Sequence, residues 1–260
     1  MKKSNKNHNQ SKMPPITLVN KALEELGAKT INGKDKQYKQ RLESISKSLL
    51  IGAHQTKEII QSMLVKGVSI NNVFEEYIPD VARLLGDYWV KSMLSFAQVT
   101  LATSRLQSIA RELEPLYLGE RHPQNLQTEV LIIAPKGEQH TFGAQMVARK
   151  FKKLGTSPYL SINNTLEEIM SIIGKQKFRL IGLSVADQKA CEKDSEVDRI
   201  LRAIRKLKIP IVAGGNLANS SARILKGLHI DLVTNDVAHA LNYFNINFSA
   251  KRYHPESINV

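Results

Sequence analysis

The C-terminal half of the chain alternates five times between a short apolar segment and a helical pattern. The apolar segments are residues 129–134, 158–162, 179–185, 209–213 and 231–234, and the helical patterns are near 140–153, 165–174, 190–207, 217–226 and 236–243. This alternation is typical of parallel strands, because parallel neighbours need a crossover connection that is usually a helix. We therefore predict an α/β domain over residues 128–260, with a flavodoxin-like five-stranded parallel sheet.

The N-terminal half has a different, purely helical pattern. Apolar residues recur at helical spacing through residues 37–114 and predict a bundle of four amphipathic helices, with Ser69 and Ser95 as N-caps. Residues 115–127 contain two prolines and several polar residues, which indicates a linker. Residues 1–36 are basic and begin with a polar stretch that cannot bury enough apolar surface to fold, so we predict a largely disordered tail.

Composition limits the classes of protein to which the chain can belong. The net charge is +13. The surplus of basic residues lies in residues 1–50, which have 11 Lys or Arg against 4 Asp or Glu, and in residues 121–260. Neither region has a recognition-helix pattern, so the basic tail predicts at most weak contact with DNA. A single cysteine, Cys191, excludes an internal disulfide, and no apolar run is long enough for a membrane span. We expect a cytoplasmic protein without membrane contact.

Three strand ends carry residues suited to a binding site. The first strand leads into Lys136-Gly-Glu-Gln-His-Thr-Phe-Gly143, the third ends in Ser184-Val185-Ala186, and the fourth ends in Gly214-Gly215-Asn216. Open α/β sheets bind ligands at the carboxyl edge of the strands, where these three loops meet. Glu138 can accept a hydrogen bond from one ring nitrogen of His140, which would make the other nitrogen a better metal ligand. The glycines would let an inserted group approach the backbone closely.

Sequence motifs of common catalytic sites are absent. The chain has neither the Gly-x-Ser-x-Gly elbow of serine hydrolases nor a Gly-x-x-x-x-Gly-Lys phosphate loop, and its other histidines show no ligand spacing with one another. Asp187 and Cys191 follow the third strand and could border the pocket, although surface or helix-start roles are the simpler interpretation. We therefore expect a protein that is not an enzyme.

The strand-end residues resemble the cobalamin-binding signature Asp-x-His-x-x-Gly, Ser-x-Leu, Gly-Gly. The order and spacing match, with 40 residues between Gly143 and Ser184 and 27 between Ala186 and Gly214. The resemblance implies that His140 replaces the cofactor's own base beneath cobalt, that Glu138 orients it, and that the displaced nucleotide tail enters a slot beside the serine and the glycines. Two positions depart from that signature, with Glu138 in place of Asp and Ala186 in place of Leu.

The helical half is similar to the cap of cobalamin-binding photosynthesis-gene antirepressors of the AerR/PpaA type. The matching motifs are Gly86-x-x-Trp89, Ser95-Phe96, Val99-Thr100, Arg105-Leu106-Gln107 and Gly137-Glu138-Gln139-His140-Thr141-Phe142-Gly143. In this family Glu138 is the expected residue, and Trp89 would lie near the upper axial ligand. Light-sensing cobalamin repressors have Glu-His where this chain has Val99 and Thr100, so the resemblance does not extend to their upper histidine ligand.

The resemblance implies a cofactor, a site and a partner. The cofactor would be cobalamin with its cobalt, as hydroxocobalamin, methylcobalamin or adenosylcobalamin. The expected metal ligand is His140, and the expected cofactor-binding residues are Trp89, Glu138, His140, Thr141, Phe142, Gly143, Ser184, Val185, Ala186, Gly214, Gly215 and Asn216. The partner would be a DNA-binding repressor of the PpsR/CrtJ type, whose activity the protein would modulate in response to light or redox state.

Two other functions stay open at this point. A corrinoid carrier subunit of a methyltransferase system would share the fold and His140, but it would have to cycle through cobalt(I). A direct DNA-binding protein would instead use the basic tail at residues 1–36, and its binding would depend strongly on salt.

Overall fold

The computed structural model describes residues 36–119, 129–186, 191–192, 194–215, 217 and 228–246. The predicted tail therefore lies outside the described residues except for Lys36, and so does the predicted helix at 217–226 except for Leu217. The chain divides into two compact units, with the boundary between Leu113 and Glu114. The first is helical and the second contains the parallel sheet, so the predicted fold class, an α/β protein with a helical N-terminal part, is confirmed.

In its described part, from residue 36 onward, the helical unit contains four helical segments. The first two are α1 (Lys36–Ile51) and α2 (Ala53–Val65). The third is composite and contains α3 (Ile70–Asn72), a π-helical turn (Val73–Tyr77) and α4 (Ile78–Val90). The fourth is α5 (Phe96–Leu118). The segments bury a continuous set of large side chains: Leu42, Ile45, Leu49, Ile60, Phe74, Ile78, Leu84, Leu85 and Tyr88. Burial of these apolar faces is the main force that holds the unit together.

Both serine caps predicted from the sequence are present. The Ser69 hydroxyl accepts a hydrogen bond from the Asn72 amide at 3.1 Å, and the Ser95 hydroxyl accepts one from the Gln98 amide at 3.3 Å. The π-helical turn was not predicted. Within it the Ile78 amide donates to the Val73 carbonyl, five residues earlier, and Pro79 follows with no amide proton to continue the α-helical pattern.

A buried polar contact joins α1 to α4 inside the helical unit. The Tyr38 hydroxyl donates to Asp80 Oδ2 at 2.6 Å, and Arg83 pairs with the same carboxylate. Burial, followed by the hydrogen bond to Asp80, raises the pKa of Tyr38 far above its ordinary value. Burial also raises the pKa of Tyr88, with smaller contributions from Glu43 and Asp87. Both hydroxyls therefore keep their protons more tightly in the folded chain than in the unfolded one.

This difference predicts a loss of stability in alkali. Above about pH 10, the unfolded tyrosines lose protons while the folded ones retain them, so the free energy of unfolding falls by about 1.4 kcal/mol per pH unit for each tyrosine. Below that pH the contribution is fully present. Urea unfolding of the wild type, Tyr38→Phe and Tyr88→Phe across this range measures the slope. Each substitution is expected to flatten it, and an unchanged slope in both variants would contradict the prediction.

The first residues of the linker predicted from residue 115 are helical in the structure. Helix α5 continues to Leu118 with Pro115 inside it, and residues 120–127 lie outside the described part of the chain. Pro115 removes one helical hydrogen bond, but contacts of the last turn offset that loss. Glu114 accepts from Arg149 Nε at 2.9 Å and from Lys152 Nζ at 3.3 Å, within the second unit.

The second unit contains a five-stranded parallel sheet in the order β2-β1-β3-β4-β5. The strands are β1 (Glu129–Pro135), β2 (Ser157–Asn164), β3 (Leu180–Ser184), β4 (Ile211–Gly214) and β5 (Leu232–Val233). The described helices between and after them are α6 (Thr141–Lys153), α7 (Leu166–Lys175), α8 (Glu196–Arg205) and α9 (Val237–Tyr243). Helix α8 begins later than the predicted residue 190, because the Ser195 hydroxyl caps it by accepting from the Asp198 amide.

Apolar cores cover both faces of the sheet. Leu131 and Ile133 of β1 belong to one core, together with residues of α7 and α8, whereas Val130 and Ile132 belong to the other, together with residues of α6 and α9. Alternate residues of a strand point to opposite faces, so β1 must be apolar throughout. The chain order reverses between β1 and β3, and the loops after these two strands therefore border the crevice where such sheets bind ligands.

Among the described helices, none combines the length and the apolar content that crossing a membrane requires.

Candidate functional site

The loop after β1 is built to hold His140 at the carboxyl edge of the sheet. The Glu138 amide donates to the Pro135 carbonyl at 3.0 Å and closes a turn, in which Gly137 has a φ of +89° that residues with a side chain rarely adopt. His140 then occupies the N-cap position of α6. The strand, the turn and the helix start thus fix the backbone of His140.

Glu138 binds three N–H groups at once. Its Oε1 accepts from the His140 amide at 2.6 Å and lies 3.0 Å from His140 Nδ1, while its Oε2 accepts from the Ala186 amide at 2.7 Å. The Glu138 side chain is only 5% exposed, whereas the His140 side chain is 70% exposed. A buried carboxylate therefore fixes an accessible imidazole and connects the loop after β1 to the loop after β3.

This geometry determines which ring nitrogen of His140 can bind a ligand. With Nδ1 donating its proton to the carboxylate, the lone pair is on Nε2, which is then the ring nitrogen that can bind a metal. Across the described residues, no group of three or more His, Cys, Asp or Glu side chains could hold a metal ion. A single imidazole suits a metal that arrives with most of its ligands already in place.

The other residues predicted at the strand ends lie along the same edge. Ser184 and Gly214 are register partners across β3 and β4, and Gly215 follows with a φ of +68°. A Cβ built on Gly215 would be 3.6 Å from the Val185 carbonyl, and one built on Gly214 would be 3.1 Å from the Thr234 carbonyl. The glycine pair therefore allows close packing of the strand ends.

Gly143 differs from this pair, because a Cβ built there would meet nothing within 4 Å. It lies in the first turn of α6, where it is exposed beside Thr141, and the space before it is open. Phe142 is buried, and the Val185 side chain lies in one of the apolar cores of the sheet. Both residues therefore stabilise this edge through packing in the interior. Asn216 lies outside the described residues.

Trp89 belongs to the helical unit, at the end of α4. Its side chain is 46% exposed, and its ring packs edge-on against Phe96 with centroids 6.5 Å apart. The exposure leaves the indole available to a ligand or partner.

Two asparagines of the same edge were not singled out from the sequence. Asn235 Oδ1 accepts from the Gly215 amide at 2.7 Å, and Asn163 Oδ1 accepts from the Gly137 amide at 3.4 Å. Asn163 is near the end of β2, and Asn235 follows β5. This position at strand ends is the sequence signal that could have identified both as residues of the site. Each holds the backbone of a loop glycine.

The carboxylate of Glu138 predicts a measurable stability effect that does not depend on any ligand. Glu138→Gln replaces an acceptor oxygen with an NH2 group, so that one of the N–H groups that bind it loses its bond to a charged acceptor, and should lower the free energy of unfolding by about 1–3 kcal/mol. Urea unfolding tests this. The control is Glu196→Gln, which removes the exposed pair with Arg199 on α8 and should cost at most about 1 kcal/mol. Equal losses in the two variants would contradict the bridging role of Glu138.

Comparison with known proteins gives one sequence relative and a similar fold. The chain is 29% identical over 179 residues to an uncharacterized 20.5 kDa protein in the bchF-crtJ intergenic region of Rhodobacter capsulatus, an alignment covering 69% of this chain and 93% of the relative. The monomethylamine corrinoid protein of Methanosarcina barkeri has a similar fold, with a TM-score of 0.60 and 14% sequence identity over 78% of this chain and 94% of that chain. No protein-family model matches the chain.

Proposed function

We propose that this protein binds cobalamin through His140 and acts as a cobalamin-dependent transcriptional regulator rather than as an enzyme. The observation that carries the proposal is the arrangement around Glu138. Its buried carboxylate lies 3.0 Å from His140 Nδ1 and leaves Nε2 of a largely exposed ring as a ligand. A histidine that replaced the cofactor's own base as a ligand to cobalt would need this arrangement.

The donor set fits this cofactor. Cobalamin would bring most of the ligands of its cobalt with it, so the protein would need to provide only a single imidazole, and no larger group of candidate metal ligands occurs in the described residues. The displaced nucleotide tail needs space beside the sheet edge. The open space before Gly143 and the neighbouring Ser184 and Gly214 at the ends of β3 and β4 are consistent with that need.

Each residue has a distinct task in this proposal. His140 would hold the cobalt of the cofactor, and Glu138 would keep the imidazole in the correct tautomer. The Ala186 amide ties the same carboxylate to the loop after β3, so a change in the position of His140 is transmitted to a second loop. When bound, cobalamin would supply a cobalt centre whose ligation responds to light or oxidation state.

The regulatory role rests on the sequence motifs and on the relative. The helical unit carries the Trp89, Ser95-Phe96 and Val99-Thr100 motifs of the antirepressor type. The relative is named for its place beside crtJ, and we infer that the partner is a DNA-binding repressor of the CrtJ type that controls photosynthesis genes. Light or redox state would then change how the protein modulates that repressor.

The test is a repressor–DNA binding assay with this protein as the variable. The protein is reconstituted with hydroxocobalamin or adenosylcobalamin, in darkness and after illumination, and added to a CrtJ-type repressor on its operator. We expect the repressor's affinity for DNA to change in one cofactor state only, and His140→Ala to remove the difference. An effect independent of cofactor would contradict the proposal. Reductive methylation of the bound cofactor by a methyltransferase partner would instead favour a corrinoid carrier.

A further inference from the structure

The amino edge of the sheet, opposite the His140 loop, contains a cavity that the proposed function does not use. It lies where β4 and β5 begin and has a volume of about 440 Å³. That volume is within the range of small-molecule sites. Besides aliphatic residues, the side chains that border it are the cationic or basic Arg205, Lys208 and His229, the acidic Asp231, and the aromatic Tyr243 and Phe244.

Within the described residues, the arginine and the lysine at this cavity lack the ion pairs that the other arginines of α8 form. Arg199 pairs with Glu196 at 2.6 Å, and Arg202 pairs with Asp198 at 2.6 Å and with Asp194 at 2.7 Å. Arg205 is the next arginine along the helix, and within the described ranges neither Arg205 nor Lys208 forms an ion pair. Both cations are therefore available to an anion.

The single acid at the cavity is partly engaged by the backbone. Asp231 Oδ2 accepts from the Ile211 amide at 2.8 Å, which fixes the carboxylate between the starts of β4 and β5. The described residues provide no donor to its other oxygen, which is free to accept from an N–H or a hydroxyl group of a ligand. Asp231 thus adds a hydrogen-bond acceptor to a site that is otherwise positive.

An aromatic surface completes the cavity. The Tyr243 side chain is 56% exposed, and Phe244 packs edge-on against it with centroids 4.9 Å apart and planes at 82°. His239 also lies edge-on to the tyrosine ring, with centroids 6.3 Å apart and planes at 79°, and with both neighbours in place more than half of the Tyr243 side chain stays exposed. A planar ring can therefore stack on Tyr243 while an attached anionic group reaches the cations.

We propose that this cavity binds a phosphorylated aromatic compound of mononucleotide size. The phosphate would bind Arg205 and Lys208, the ring would stack on Tyr243, and Asp231 would accept a hydrogen bond from a hydroxyl or amino group. The site is separate from the His140 edge, so the proposal stands or falls independently of cobalamin binding.

Calorimetric titration of the full chain without cobalamin tests this site, with AMP as the probe and with adenosine and inorganic phosphate as its fragments. AMP is expected to bind more tightly than either fragment. Arg205→Gln should weaken AMP binding about tenfold, the loss of one charge-assisted contact. Tyr243→Leu should weaken binding of AMP but not of phosphate.

Arg199→Gln is the matched control, because it removes the same charge from the same helix away from the cavity. It should leave AMP binding unchanged. Absence of AMP binding, AMP binding no tighter than phosphate, or equal losses in the two arginine variants would overturn the proposal; the last outcome would indicate a diffuse polyanion surface. A last experiment measures whether single-stranded DNA, with or without a terminal phosphate, competes with AMP for the site. Competition that requires the terminal phosphate would indicate a strand end as the natural ligand, and no competition would indicate a free nucleotide.

Discussion

Replacement of His140 by alanine is expected to lower the affinity for cobalamin by more than about 100-fold. Loss of an outer-shell partner of a metal ligand alone typically costs about 10–100-fold, and this substitution removes the ligand itself. The described residues offer no second cluster of ligands that could compensate. The measurement is retention of cobalamin on gel filtration, followed by titration monitored by absorbance.

His239→Ala provides the control for this experiment. His239 is an exposed histidine in the first turn of α9, so it lies at the same carboxyl edge of the sheet. Its loss should leave cobalamin binding unchanged. Equal affinities of His140→Ala and the wild type would rule out His140 as the ligand, and equal losses in the two variants would indicate a nonspecific effect.

Replacement of Ile132 by alanine is expected to cost about 2–5 kcal/mol of stability, as is typical of large-to-small changes in a close-packed core. Ile132 is fully buried in β1, which pairs with both β2 and β3. Its register partner in β3 is Gly182, so no neighbouring side chain on that strand can fill the space. The urea midpoint of the sheet unit measures the loss.

The conservative variant Ile132→Val serves as the comparison. It removes one methyl group and should cost only about 0.5–1.5 kcal/mol. A graded series from wild type through valine to alanine supports tight packing at this position. If alanine destabilises no more than valine, the centre of the sheet is not packed as described.

The sequence predicted the parts of the fold that depend on local patterns. Largely apolar segments such as 129–134 predicted the strands to within a few residues. A strand that is buried on both faces is apolar at successive positions, and this pattern differs from the alternation of a half-exposed strand. Ser69 and Ser95 gave the helix starts, because a hydroxyl before an apolar helical pattern has a defined capping role.

Other features depended on contacts that local patterns do not contain. Helix α5 continues past Pro115, beside which Glu114 contacts Arg149 and Lys152, distant residues that local propensity does not include. The bridge from Glu138 to the Ala186 amide joins residues 48 apart through a backbone group, so no side-chain motif encodes it. The spacing of Glu138 and His140 did predict their contact, because two residues in one turn are necessarily close.

The most direct measurement is electron paramagnetic resonance of the reconstituted cob(II)alamin form, with protein uniformly labelled with nitrogen-15 and with unlabelled cofactor. An axial nitrogen splits the cobalt signal into a triplet when it is nitrogen-14 and into a doublet when it is nitrogen-15. If His140 binds cobalt, labelling of the protein converts the triplet into a doublet, and His140→Ala removes the doublet. A triplet that persists in the labelled protein would show that the cofactor keeps its own base and that His140 is not the ligand.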